Sequence, residues 1–152
     1  MRQSFKSSAI AAAAAATLVA VPAAAQTIYP IPTSTSVKSV NSANTALGKV
    51  TNKKGAVASI LRKGSVSARV SFPGPGKYTV RYKSGSRTYA TGTRTRSSAG
   101  AATIKVKLTA AGKRAFRTAR AARKSIKLRL TTTFNPTSGS TVTRNKTIRV
   151  KK

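Results

Sequence analysis

Apart from scattered hydroxyls and amides, the chain's functional side chains are of one kind. Between Thr109 and Lys124 stand Lys113, Arg114, Arg117, Arg120, Arg123 and Lys124, with only alanines and Phe116 as apolar company. Such spacing puts cations on adjacent turns of a helix, where like charges repel by a few tenths of a kcal/mol per pair. A polyanion laid along them turns that repulsion into attraction. Lys and Arg donate hydrogen bonds and accept none, so what they offer is the holding of phosphate, sulfate or carboxylate groups. Lys105, Lys107, Lys127 and Arg129 add to the set, because alternate positions of a half-buried strand project to solvent. These ten residues are the candidate polyanion-binding surface.

What is missing is equally informative. The 152 residues include 30 Lys and Arg but no Asp, Glu, His or Cys. Average chains carry charges of both signs at roughly one residue in four. Without carboxylate, imidazole or thiolate there is no glycosidase pair, no His-containing triad and no donor set for zinc or calcium. The serines and lysines form no recognisable Ser-Lys motif. The expectation is a non-enzymatic protein with no metal and no cofactor. No disulfide can support the fold either, so a core of adequate size must carry the stability against self-repulsion.

The elements that would position these cations read as strands. Ile104-Lys105-Val106-Lys107-Leu108 and Ile126-Lys127-Leu128-Arg129-Leu130 alternate apolar with cationic residues, the period of a half-buried strand. Others precede and follow them. Ala56 to Arg62 reads as a short first strand ended by Lys63-Gly64, and Ser65 to Phe72 places Val66, Ala68, Val70 and Phe72 on one face. Lys77 to Lys83 puts Tyr78, Val80 and Tyr82 inside, as core residues in preference to stacking platforms. Arg87 to Arg96 follows, with Tyr89 as its apolar anchor. The strand from Ile126 runs on to Phe134, and Thr141 to Lys151 is the last. In that last strand Arg144 and Lys146 share a face with Val142, Ile148 and Val150, which calls for a bulge or a start beyond the core edge. Thr109 is a suitable N-cap for a short basic helix between the two late strands, with Phe116 pinning it to the end of the domain and Gly112 weakening it by roughly 1 kcal/mol relative to Ala.

Seven short strands joined by Gly and Pro turns predict an all-β fold, an antiparallel sandwich. A resemblance supports this expectation. Val106-Lys107-Leu108-Thr109-Ala110-Ala111-Gly112-Lys113-Arg114, followed by a basic stretch and Ile126 to Pro136, resembles the immunoglobulin-like sandwich domains of secreted and surface proteins of high-GC bacteria, actinobacteria above all. There a Leu-Thr-x-Ala-Gly-Lys/Arg element sits between two late strands. The resemblance covers residues 55–152 and implies an immunoglobulin-like fold and an extracellular address, with no functional residues to carry over.

The N-terminal part is organised differently. Residues 1–25 read as a signal peptide: Arg2 and Lys6 form the positive region, Ile10 to Val21 the apolar one, and Ala23-Ala24-Ala25 the cleavage site. The run is short for a bilayer span and Pro22 ends it. Residues 26–47 are rich in Ser, Thr and Asn and carry one charge, Lys38, so they read as a linker or as an extended arm in which Ile28, Tyr29 and Ile31 would dock on a neighbouring subunit. The cationic domain is then 48–152.

The composition points to a secreted binding module, extracellular, surface-bound or periplasmic, that holds anionic polymers electrostatically. Cell-wall polyanions, lipopolysaccharide and extracellular DNA without sequence specificity satisfy the same electrostatics. No base-reading motif is present, and no long amphipathic helix suggests membrane insertion. The alternative is a structural subunit of an extracellular assembly, a filament or matrix joined through the N-terminal arm. In either case the cations read as a coat over the whole domain, densest in the basic helix.

Overall fold

A computed structural model describes residues 33–152. Residues 1–25, expected to be a signal peptide, and the arm residues Ile28, Tyr29 and Ile31 lie outside the described residues. Three helices and six strands follow in order: α1 (Ser34–Thr51), α2 (Ala56–Lys63), β1 (Ser65–Phe72), β2 (Gly76–Ser84), β3 (Arg87–Arg96), β4 (Gly100–Leu108), α3 (Ala110–Ala121), β5 (Ile126–Pro136) and β6 (Val142–Val150). The structure is mostly antiparallel β-sheet, with six strands in place of the expected seven.

All six are hydrogen-bonded in the order β1-β4-β3-β2-β5-β6. The sheet is held unevenly. β1 pairs with β4 along its whole length, and β3-β2-β5-β6 form a second well-paired group. Between them, β3 and β4 meet in register only at Ala90–Leu108 and Thr91–Lys107. The sheet also curls, because its two edge strands, β1 and β6, both pack against α1. Inward residues of every strand and the buried stripe of α1 share one core.

Helix α1 corrects the expected linker. From Ser34 on, this segment is helical, capped where Thr33 Oγ1 accepts the Ser36 amide at 3.3 Å. Its Ser, Thr and Asn content gives poor helix propensity, so tertiary burial holds it. Ser36, Val40, Ala43 and Leu47 recur at helical spacing and are buried; full burial of Val40 and Leu47 contributes about 1.5–3 kcal/mol each. Ser39 Oγ donates to the Ser71 carbonyl on β1 and pairs with Tyr78 Oη at 2.8 Å. A free edge group of the sheet is thereby covered.

Helix α2 corrects the expected first strand. Ala56, Val57 and Ile60 are buried on one side of a helix that ends at Gly64, whose φ of 64° is the left-handed conformation that terminates helices. The Lys-Gly pair that reads as a strand end is a helix cap. No side chain caps the helix start; the Gly55 and Val57 amides donate instead to the carbonyls of Lys152 (2.7 Å) and Lys151 (2.9 Å). The final residues and α2 are thus fixed to each other.

Strands β1, β2 and β5 bury the residues that their alternation predicts. In β6, Val142, Ile148 and Val150 are buried whereas Arg144 and Lys146 are exposed, and the pairing with β5 shows no bulge. An edge position lets these two cations reach solvent without a break in register. In β3 the core position is Ala90, not Tyr89, which is only half-buried. Phe72, Tyr78 and Phe134 pack as an aromatic cluster, with ring centroids of Tyr78 4.8 Å from both neighbours.

Candidate functional site

The antiparallel registers sort the loops into two ends. Ser65 lies opposite Lys107, Ser84 opposite Arg87, and Ile126 opposite Val150, which puts α2, α3, the β2–β3 turn and the last residues at one end. Phe72 lies opposite Gly100, Gly76 opposite both Arg96 and Pro136, and Phe134 opposite Val142, which defines the other. The described residues carry 28 of the 30 Lys and Arg. Loops 73–75, 97–99 and 137–141 at the second end carry none. At the first end, the turn before α2, the two helices, the turn after α3 and the final pair alone carry Lys53, Lys54, Arg62, Lys63, Lys113, Arg114, Arg117, Arg120, Arg123, Lys124, Lys151 and Lys152. The expected coat, densest in the basic helix, is thus uneven along the fold: cations gather at the α2–α3 end, and the loops of the other end carry none.

Helix α3 is the centre of that end. Thr109 caps it, with Oγ1 accepting the Gly112 amide at 3.0 Å and donating to the Thr88 carbonyl at 2.8 Å. The Thr109 amide donates to the Tyr89 carbonyl at 2.9 Å. Gly112 lies so close to β3 that a Cβ there would stand 1.9 Å from the Tyr89 carbonyl oxygen. Phe116, 2 % exposed, anchors the next turn. The helix then stops in a Schellman arrangement, in which Lys124 N donates to Ala119 O (2.9 Å) and Arg123 N to Arg120 O (3.1 Å). The left-handed position of this motif, normally glycine, is Arg123 with φ of 51°. An L side chain there costs about 1 kcal/mol, and no neighbouring acid balances its charge.

All ten cations singled out from the sequence are exposed. They do not form one patch. Lys113, Arg117 and Arg120 line an open groove of about 760 Å³ between α3 and α2, opposite Arg62 and Lys63. Arg114 and Lys124 face the other way, into a groove of about 550 Å³ shared with Arg87 and Tyr89 of β3. Arg123 joins Arg120, Lys54 and Lys152 around a third, of about 350 Å³. Lys105, Lys107, Lys127 and Arg129 stand apart on the outer sheet surface: Lys107 pairs with Ser65 and Thr91, and Lys127 with Arg149.

Sequence reasoning missed Lys54, Arg62, Lys63, Arg87 and Lys152 as members of this surface. A signal for Arg62 and Lys63 exists, since Val57, Ile60 and Leu61 have helical spacing and Gly64 ends the run. Tyr78 and Tyr82 are core residues, fully or almost fully buried. Burial pushes both phenols up, and for Tyr78 the hydrogen bond to Ser39 opposes that rise.

Among the described residues no three potential metal ligands form a group, and no helix is long and apolar enough to cross a membrane. In comparisons with known proteins, no family model, curated protein or solved structure matches the chain.

Proposed function

We propose that the protein is a secreted, non-enzymatic cationic module that holds anionic polymers of the envelope or matrix, through the end of the fold built from α2, α3 and the final lysines. The observation that carries this reading is the gathering of unpaired cations around three open grooves at one end, with none in the loops at the other. Solubility alone needs no such polarity, and mixed charges would meet it at less cost in repulsion. Its partners are then cell-wall polyanions, lipopolysaccharide or extracellular DNA, bound without stable membrane insertion.

An immunoglobulin-like ancestry belongs to the same proposal. Its support is the pairing of β1 with β4, of β2 with β5 and of β5 with β6, the B–E, C–F and F–G pairings of that sandwich. Helix α1 would then lie along β1 where a first strand is expected. An extracellular or periplasmic location follows from the signal peptide read in the sequence. The reading as an assembly subunit remains the alternative: residues 34–47 of the supposed arm belong to helix α1, whose Val40, Ala43 and Leu47 are buried, and Ile28, Tyr29 and Ile31 lie outside the described residues.

The test compares two charge-matched triples. Arg62→Gln with Lys113→Gln and Arg117→Gln should lower affinity for inorganic polyphosphate, teichoic acid, lipopolysaccharide and duplex DNA. The slope of log affinity against log salt should fall by about 2–3, at roughly 0.7–0.9 for each phosphate no longer neutralised. Lys77→Gln with Arg94→Gln and Arg144→Gln should change either quantity little. Equal losses in both triples would mean an unlocalised coat, and binding that ignores salt would remove the proposal.

A further inference from the structure

The groove between α3 and β3 differs from the other two in holding an aromatic ring. Tyr89 lines it together with Arg87, Arg114 and Lys124, over a floor of small α3 residues that includes Ala115 and Thr118. The other two described tyrosines are consumed by the core, with Tyr78 and Tyr82 at most 2 % exposed. Tyr89 is half-buried.

Its placement has a structural cause. Along β2 and β3 the register runs Tyr82–Ala90, then Lys83–Thr88, so Tyr89 is the extra, unpaired residue of a β-bulge. Bulges re-aim the side chain at the inserted position. This one is held rigidly, because the Tyr89 carbonyl accepts the Thr109 amide at 2.9 Å and the Thr109 hydroxyl at 3.2 Å. The ring therefore sits on a fixed backbone beside the basic helix, with cations on both sides of the groove.

We infer that Tyr89 is a stacking platform for an unpaired nucleobase, so that single-stranded nucleic acid is the preferred polyanion of this end. The inference rests on the polyanion reading above and specifies its ligand class. An aromatic face takes any base without sequence preference, while Arg87, Arg114 and Lys124 neutralise the flanking phosphates. The groove volume of about 550 Å³ lies within the roughly 300–1,000 Å³ of sites that enclose small ligands. A duplex keeps its bases stacked on one another and cannot use the ring. A teichoic acid or polyphosphate has no base to offer.

Oligothymidylate, a DNA duplex, polyglycerol phosphate and inorganic polyphosphate of matched charge are titrated against the full chain and its variants at one salt concentration. Tyr89→Leu keeps the apolar bulk and should lower affinity for oligothymidylate by about 10-fold, within the range of one lost base stack. Affinity for the other three should be unchanged, and Tyr89→Phe should behave as the parent. Tyrosine fluorescence, free of tryptophan in this chain, should be quenched by oligothymidylate and not by polyphosphate. Equal losses on all four polymers, or none, would overturn the stacking site while leaving the polyanion reading intact. Tighter binding of polyglycerol phosphate than of oligothymidylate would overturn it in favour of a wall polymer. Failure of all four to bind would remove both readings.

Discussion

Gly112→Ala sets helix propensity against packing, and the two predict opposite signs. Taken alone, the substitution favours α3 by about 1 kcal/mol. In the fold, the new Cβ would stand 1.9 Å from the Tyr89 carbonyl oxygen and 2.7 Å from its carbon. Real Cβ atoms essentially never approach a neighbour closer than 3.0 Å, so helix and strand must separate by about 1.1 Å. The strand cannot yield easily, since the same carbonyl holds the Thr109 amide and hydroxyl. Moving the helix instead weakens the Thr109 cap, worth about 1 kcal/mol, and unseats Phe116, whose burial contributes about 1.5–3 kcal/mol. Half of the Phe116 contribution, the cap, and about 1–2 kcal/mol of overpacking strain exceed the propensity gain. The expected net is a loss of about 2–3 kcal/mol. For the 120 described residues, at roughly 2.1 cal/mol/K of unfolding entropy per residue, that lowers Tm by about 8–12 °C. Thermal unfolding followed by far-ultraviolet circular dichroism measures it, with Gly74→Ala, where nothing lies within 4 Å, as the neutral control. A Tm that stays level or rises in Gly112→Ala would refute the close docking of α3 on β3.

Arg123→Gly should raise stability by about 0.5–1 kcal/mol in urea unfolding, because glycine adopts the left-handed cap position without strain. The same variant should bind polyphosphate more weakly, so a loss of stability would show that Arg123 is held by something other than its charge. Tyr82→Phe should be neutral or up to about 1 kcal/mol stabilising, since the Tyr82 hydroxyl is buried with no hydrogen-bond partner among the described residues. Its pH dependence has a definite sign. Burial raises the folded phenol above its ordinary value of 10.0, so above about pH 10 the unfolded chain releases the proton first and stability falls as pH rises. That fall should be shallower in Tyr82→Phe, and parallel alkaline curves for the two proteins would contradict the burial.

The strands are legible in the sequence because each reads its own face locally. Val66-Ala68-Val70-Phe72 and Tyr78-Val80-Tyr82 alternate without interruption, and both sets are buried. Helix α3 is legible for a similar reason: Thr109 and Phe116 stand where a cap and an anchor belong. Helix α1 is not, because its buried stripe includes Ser36, Ser39 and Asn44, residues that sequence patterning counts as solvent-facing. Ser39 finds partners on other elements, the Ser71 carbonyl and Tyr78, whereas Ser36 bonds only Thr33, and Asn44 Oδ1 is buried with no partner among the described residues. Helix α2 is only weakly legible: Val57, Ile60 and Leu61 have helical spacing, but eight residues contain too few turns to set a period of 3.6 firmly apart from one of 2. Of the candidate site, the cations of α3 are visible in the sequence and their division between grooves is not. That division depends on where α2 and β3 flank the helix, and in the sequence α2 reads as a strand.

The polarity of charge follows from the same long-range geometry, and it bears on how a chain without acids folds at all. The cations between residues 53 and 63, those of α3 and the final two lysines are distant in sequence and meet only when the sheet is complete. Along α3, Lys113 with Arg117 and Arg117 with Arg120 repel at helical spacing, each by a few tenths of a kcal/mol, with no acid in the first turn to offset them. Folding must therefore work against its own charge at this end, and the aromatic cluster of Phe72, Tyr78 and Phe134 lies at the other. There the loops are neutral, and only Lys77, Arg94 and Arg96 on the adjoining strand ends are cationic. The strained left-handed Arg123 adds a further cost at the charged end, where glycine would have avoided it. On the proposed function, a polyanion bound at this end would offset the repulsion among its cations, while the backbone strain at Arg123 would remain. Ligand and fold would then be linked: an anion that binds the native α2–α3 end more tightly than the unfolded chain stabilises the native state by an amount that grows with its concentration relative to Kd.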